Sequence, residues 1–347
     1  MIIGFVSLGA LGSGLNFLEQ EAKQRNQADQ LKRETAETSV LDYINPFLPP
    51  PAPTPQLTKE YIYAGSRLLV VDDANASSSP PADLAVWRPS TGTWWVMGGA
   101  QGSQPAVQSW GLNGDVPIPG DFDGDGKTDF SIFRPTVNQW WILRSGDGTY
   151  YSLTFGASGD KASPADFDGD GRTDPAVFRP ATGVWYILRS TNNQALQAQF
   201  GLATDVPDPK DFDGDGKADL AVWRPANSTF YSLGSSNGQT NAANFGVSSD
   251  RPVSGDYDGD GRADQAVRSG ADWVIRNSSS GLIQTISWQL STDIEVQNDY
   301  DGDGRTDIAV WRSSNGNWYI RKSGSSQLRQ EAWGVSGDIP VPSYFRR

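Results

Sequence analysis

The sequence predicts an all-β fold, a β-propeller of about six four-stranded blades. Three observations predict it: an aspartate motif recurring every 43–45 residues, an alternating apolar run after each copy, and an aromatic-rich, turn-rich composition. The motif reads DFDGDGKTD from Asp121, DFDGDGRTD from Asp166, DFDGDGKAD from Asp211, DYDGDGRAD from Asp256 and DYDGDGRTD from Asp299. Repeats of about 40–50 residues, each with room for four short strands, are the mark of a propeller, because one such sheet cannot bury both aromatic faces alone. The 38 Gly and 22 Pro supply turns, and 13 Trp, 14 Phe and 11 Tyr supply the core.

Within each unit the elements follow in a fixed order. The inner strand is a VPIPGDF-like piece before the motif. The second strand follows the acidic loop: FSIFRP, PAVFRP, LAVWRP, QAVRSG and IAVWRS. In it Leu220, Val222 and Arg224 share one face and Ala221 and Trp223 the other, the period of two that a pleat imposes. The third strand carries an aromatic cluster (Trp140-Trp141, Trp185-Tyr186, Phe230-Tyr231, Trp273, Trp318-Tyr319), and the fourth ends near Phe155, Phe200, Phe245, Trp288 or Trp333. A sixth copy keeps only its later strands, from Leu84 through Trp94-Trp95 to Trp110-Gly111. The C-terminal DIPVP from Asp338 matches the first strand of a unit. Joining the two closes a ring of six, with SRLLVVDDAN at 66–75 the competing source of the missing strand. All 13 tryptophans fall in these slots and are read as packing. The recurrent Arg88, Arg134, Arg179, Arg224 and Arg312 are read as structural, bonding across blades to carboxylates or carbonyls, with a ligand-binding ring as the alternative.

The acidic loop is a candidate metal centre. Positions 1, 3, 5 and 9 offer carboxylates, position 7 offers a backbone carbonyl, and glycine at 6 allows a sharp turn. This is an oxygen cage for a hard cation, Ca2+ rather than Mg2+ because several carboxylates converge in a flexible loop. The candidate ligands are Asp121, Asp123, Asp125, Lys127 (carbonyl) and Asp129; Asp166, Asp168, Asp170, Arg172 and Asp174; Asp211, Asp213, Asp215, Lys217 and Asp219; Asp256, Asp258, Asp260, Arg262 and Asp264; and Asp299, Asp301, Asp303, Arg305 and Asp307. Two carboxylates about 4–5 Å apart repel by roughly 3–4 kcal/mol at an effective dielectric of about 20. About five Ca2+ ions are therefore expected, and five would change the formal charge from −13 to −3. An EF-hand is rejected, because position 12 is Ile132, Val177, Val222, Val267 or Val310 inside a strand, not a glutamate. No site is expected where Asp72, Asp73 and Asp83 flank the first, incomplete copy.

The run DFDGDGKTD with the following strand, WYI and FG resembles the FG-GAP/VCBS repeats, which occur also in the integrin α-subunit propeller and some fungal lectins. The resemblance spans about residues 82–345. It implies a calcium-loaded, extracellular propeller acting in adhesion or ligand binding. Blade five departs from it, with Arg268-Ser269 where the others carry Trp/Phe-Arg.

Residues 61–347 are read as the propeller and 45–60 as a Pro-rich, extended linker. Residues 1–44 are an apolar segment (1–18) followed by a polar helix (19–40). The apolar stretch has no Lys or Arg, so signal, anchor and docking segment for a membrane or partner assembly all stay open. LTKEYIYAGSRLLVVDDAN more weakly resembles the end of YD/Rhs repeat cores.

Composition excludes much chemistry. With no His and no Cys, Ser-His and Cys-His nucleophilic catalysis, His-bound zinc, iron–sulfur clusters and disulfides are ruled out. A net charge of −13 argues against nucleic acid. A hydrolase built on carboxylates is disfavoured because the aspartates belong to the loops. The expectation is a non-enzymatic binding or adhesion module, extracellular or at the bacterial envelope, with a protein or glycan ligand. The alternatives are a structural subunit docked through its N-terminal segment and a lectin.

Overall fold

The computed structural model describes residues 60–64, 67–72, 81–97 and 104–345. The chain divides into two units, Met1–Ala74 and Asn75–Arg347. In the first, β1 (Glu60–Ala64) and β2 (Arg67–Asp72) pair antiparallel as a sheet of their own. This hairpin is the described part of the YD/Rhs-like stretch. The helix expected at 19–40 and the linker lie outside the described residues.

The second unit consists of six four-stranded antiparallel sheets, the blades of a propeller. Blade two is the plan: β6 (Val116–Pro117), β7 (Phe130–Arg134), β8 (Gln139–Leu143) and β9 (Tyr150–Thr154) pair in chain order. Blades three to six repeat it over 161–199, 206–244, 251–287 and 294–332. Blade one takes β3 (Ala85–Arg88), β4 (Thr93–Val96) and β5 (Ala106–Ser109) from near the start of the unit. Its inner strand, Ile339–Pro340, comes from the chain's end and pairs with β3 through Ile339–Trp87 and Pro340–Val86. The ring is therefore closed by the C-terminal strand, and the competing segment at 66–75 contributes to the separate hairpin. Among the described residues the only helical turn is Pro225–Asn227.

Alternation in the second strand works as the pattern requires. Ala221 and Trp223 pack with Phe230, Phe245 and the next blade's Val267, while Leu220 and Val222 pack with the previous blade's Phe178 and Trp185. Every core cluster joins the aromatics of one blade to the second strand of the next, as where Trp311 and Trp318 meet Val86 across the closure. Eight tryptophans are fully buried. Three of the others, Trp110, Trp288 and Trp333, donate their indole N–H to a third-strand carbonyl of the following blade, at Trp141, Tyr319 and Trp95. Tryptophan is thus the mortar between blades, contributing both apolar area and a directed hydrogen bond.

Antiparallel order sets the two ends of the ring apart. The acidic loops and the turns between third and fourth strands share one end. The turns between second and third strands and the connections to the next blade share the other.

At that second end the arginines pair within their own blade, which corrects the expectation of bonding across blades. Arg134 grips Asp115, Arg179 grips Asp160, Arg224 grips Asp205, Arg312 grips Asp293, and Arg88 grips Asp338. The reason is the register: the aspartate opening each inner strand lies beside the end of the second strand, so the fork closes locally.

Candidate metal centres

Each loop is built the same way from its sequence. The position-1 carboxylate accepts the backbone N–H groups of the glycines at 4 and 6, as Asp121 does from Gly124 (2.6 Å) and Gly126 (2.8 Å). Both glycines are left-handed, with φ +81° and +84° in this loop, a conformation that side chains disfavour. Four donors converge on the position-9 and position-5 pair, two backbone N–H groups from within the motif and the N–H and hydroxyl of a serine outside it. Asp129 accepts from Phe122 N (2.9 Å) and Ser145 N (2.7 Å), and Asp125 accepts from Lys127 N (2.8 Å) and the Ser145 hydroxyl (3.0 Å). The same serine role falls to Ser190, Ser235, Ser278 and Ser323. Sequence reasoning missed these serines, although their regular recurrence after the third strand was there to be read.

The position-1 carbonyl reaches sideways. Thr173 N donates to Asp121 O at 2.6 Å, Ala218 to Asp166 (2.7 Å), Ala263 to Asp211 (2.7 Å) and Thr306 to Asp256 (2.6 Å). Ala82 N donates to Asp299 O (2.7 Å) and Thr128 N to Tyr344 O (2.9 Å), completing the circle. In blade one the loop is split between the two ends of the unit: Asp83 bridges Ser343 as Asp129 bridges Gly120. Tyr344 then stands where the others have the first aspartate, so no acidic cage forms there.

In all five intact loops carboxylate oxygens gather within 4.8 Å of one another. The groups are Asp121, Asp123 and Asp129; Asp166, Asp168 and Asp170; Asp211, Asp213 and Asp219; Asp256, Asp258 and Asp260; and Asp299, Asp301 and Asp303. Asp125, Asp174, Asp215, Asp264 and Asp307 stand outside these tightest triads. Position 7 contributes a long cationic stem that lies over the neighbouring loop: a Cβ at Gly124 would come within 3.0 Å of Arg172, and one at Gly169 within 3.0 Å of Lys217. Burial pushes the Asp129 and Asp307 carboxyls up to about 6, against their hydrogen bonds from the serine turn. Burial raises Asp174, Asp219 and Asp264 as well.

These loops fit a hard cation by a specific observation. The position-3 oxygens Asp168 Oδ1, Asp213 Oδ1 and Asp301 Oδ1 are screened from water and accept no hydrogen bond. Buried carboxylate oxygens with no donor are costly, and each of these lies in a group of converging aspartate oxygens.

The fold and these loops define a propeller whose blades are joined through aspartate-lined turns. A family model described as FG-GAP-like repeat matches residues 121–177 and 211–267. The chain is a six-bladed propeller carrying FG-GAP-like repeats, consistent with the FG-GAP/VCBS type of repeat family. Among solved structures it is similar to TolB of Acinetobacter baumannii, at 15% identity over 77% of this chain and 67% of that one, with a TM-score of 0.57. It is also similar to an Agrocybe aegerita lectin described as recognising non-reducing terminal N-acetylglucosamine (14% identity, 78% and 97% covered, TM-score 0.52). A nidogen/laminin complex gives 12% identity, 72% and 92% covered, and a TM-score of 0.50. At these identities the likeness is one of fold. No curated protein matches the sequence.

Proposed function

We propose that the protein is a calcium-stabilised, non-catalytic binding or adhesion module that works outside the cell or on its surface. The observation that carries this reading is the set of five acidic groups with oxygens within 4.8 Å, three of them containing a buried oxygen without a donor. Positions 1, 3 and 5 or 9 would hold the ion directly. Ca2+ supplies charge neutralisation, and the serine turns keep the position-5 and position-9 carboxylates oriented. External calcium in the millimolar range suits several sites of modest affinity.

The opposite end of the ring supports a contact role. Leu112, Leu202, Val247, Leu290 and Val335 recur there after the fourth strand of every blade but the second, where Ala157 stands, and each of the five is more than half exposed. Exposed apolar residues arranged in a circle on one end favour a partner surface. A glycan ligand is the second reading. It is favoured by two clefts between blades, one of about 170 Å3 bounded by Trp110, Arg134 and Trp141, the other of about 120 Å3 bounded by Arg88, Trp95 and Trp333.

A thermal melt in calcium against EGTA tests the metal reading, with native mass spectrometry counting ions. Removal of calcium is expected to lower the melting temperature by at least about 10 °C. Unchanged melting would remove the metal from this account. A glycan array read with and without EGTA separates the lectin from a protein-binding module.

A further inference from the structure

We propose that blade five carries a binding site for a guanidinium group, with Asp250 as its carboxylate. The other five blades supply the template. In each, an aspartate buried at the start of the inner strand accepts Nε of its arginine on Oδ1 and Nη2 on Oδ2, at 2.7–2.9 Å. Each of those guanidinium carbons lies 4.2–5.6 Å from the centroid of an aromatic ring on the third strand.

Blade five keeps the aspartate and loses both of its companions. Ser269 occupies the arginine position, paired with Asp272 as Arg312 is with Asn317. Val274 occupies the ring position, opposite Val267 as Tyr319 is opposite Val310. Asp250 is 4% exposed. Its Oδ2 accepts from Val247 N at 2.7 Å, as Asp338 Oδ2 accepts from Val335 N. Its Oδ1, the atom that receives Nε in every other blade, has no hydrogen-bond partner.

Arg268 does not fill the gap. It replaces the buried Trp or Phe of the second strand and donates Nε to the Gly270 carbonyl and Nη2 to the Leu290 carbonyl, while its buried Nη1 has no hydrogen-bond partner and makes none with Asp250. A buried carboxylate without a cation is costly, so a ligand that supplies the missing charge recovers stability as it binds. The fork shape of the template selects guanidinium over ammonium, because Nε and Nη2 together match one carboxylate. The chemical class is an arginine side chain presented by a partner protein or peptide. This site lies at the end of the ring away from the acidic loops, so it stands or falls apart from the calcium reading.

Calorimetric titration of butylguanidine and of n-butylamine into the full-length protein tests it. Wild type is expected to bind one butylguanidine saturably, and n-butylamine at least about tenfold more weakly. Asp250→Asn and Ser269→Arg should each weaken butylguanidine by at least about tenfold, the second because it supplies the arginine in cis. Ser269→Arg should also raise the melting temperature, which separates a filled clamp from a misfolded variant. No saturable binding by wild type, equal binding of the amine, or unchanged binding by both variants would overturn the site. Butylguanidine binding by a protein that takes up no calcium would overturn only the metal reading.

Discussion

The backbone N–H of Thr173 donates to the carbonyl of Asp121 at 2.6 Å, tying the last turn of one acidic loop to the first carboxylate residue of the loop before it. Because this bond recurs round the ring, loop geometry and blade packing are one structure. A loop that loses its ion disturbs the loop beside it. Double substitution Asp168→Asn with Asp170→Asn is therefore expected to reduce the bound calcium from five ions to four and to lower the melting temperature by several degrees in calcium. Native mass spectrometry and calorimetric melting check both. Retention of five ions would place the ligands elsewhere.

The Ser145 hydroxyl holds Asp125 Oδ1 at 3.0 Å. Ser145→Ala leaves the backbone bond to Asp129 intact and removes only this one, a loss of about 0.5–1.5 kcal/mol. One site should weaken by roughly two- to tenfold while the other four keep their affinity. Calcium titration by calorimetry would show a single weakened class.

The pH dependence of the calcium-stripped protein follows from burial. Burial lifts Asp129 and Asp307 to about 6 in the fold, whereas an unfolded aspartate titrates near about 3.9. Between those values the folded form binds more protons, so metal-free stability falls as pH rises through that interval. Burial also pulls Asp293 upward, but the Arg312 guanidinium outweighs it and holds this carboxyl below its ordinary value, so its loss begins only at lower pH. Stripped protein should melt higher at pH 5 than at pH 7. With calcium the order should reverse, since protons compete for the ligands. A stripped protein that melts lower at pH 5 would contradict the assignment.

Arg224 forks onto the fully buried Asp205 and stacks 4.3 Å from the Tyr231 ring centroid. Arg224→Ala strands a buried carboxylate and should cost about 2–4 kcal/mol, less than a wholly buried pair because the guanidinium is partly solvated. Arg224→Lys should recover only part, because an ammonium cannot make both bonds. Chemical denaturation measures both, and an unaffected alanine variant would show that the clamp contributes little.

Removing residues 338–347 takes away the strand that pairs with β3, along with the Asp338 partner of Arg88. The edges of Val86 and Trp87 then lie open, and self-association through them is expected. Size-exclusion chromatography would show oligomers or aggregate; a monomer with unchanged melting would mean the closure is dispensable.

Much of this was legible because a repeat prints the same physical demand several times. Alternation at Leu220–Arg224 fixed the faces, DIPVP at the C-terminus revealed the shared blade, and the five DxDxDG runs marked the loops. What escaped were relations that exist only once strands pair and blades close into a ring. Ser145 reaches Asp125 from 20 residues away, Trp333 donates to Trp95 across the closure, and Arg88 finds Asp338 within one blade. The Arg268-Ser269 departure was visible, but its meaning lay in Asp250, an unremarkable residue until its five equivalents were seen with partners.

All six sideways bonds at the metal end run in one rotational sense, each blade donating an amide hydrogen bond to the one before. Dipoles laid head to tail in a circle cancel across the plane, so this girdle binds its members without favouring any side of the ring. Differences in ion affinity among the five loops must then come from each loop's own neighbours, such as the Arg262 stem over Gly214 or the Arg305 stem over Gly259.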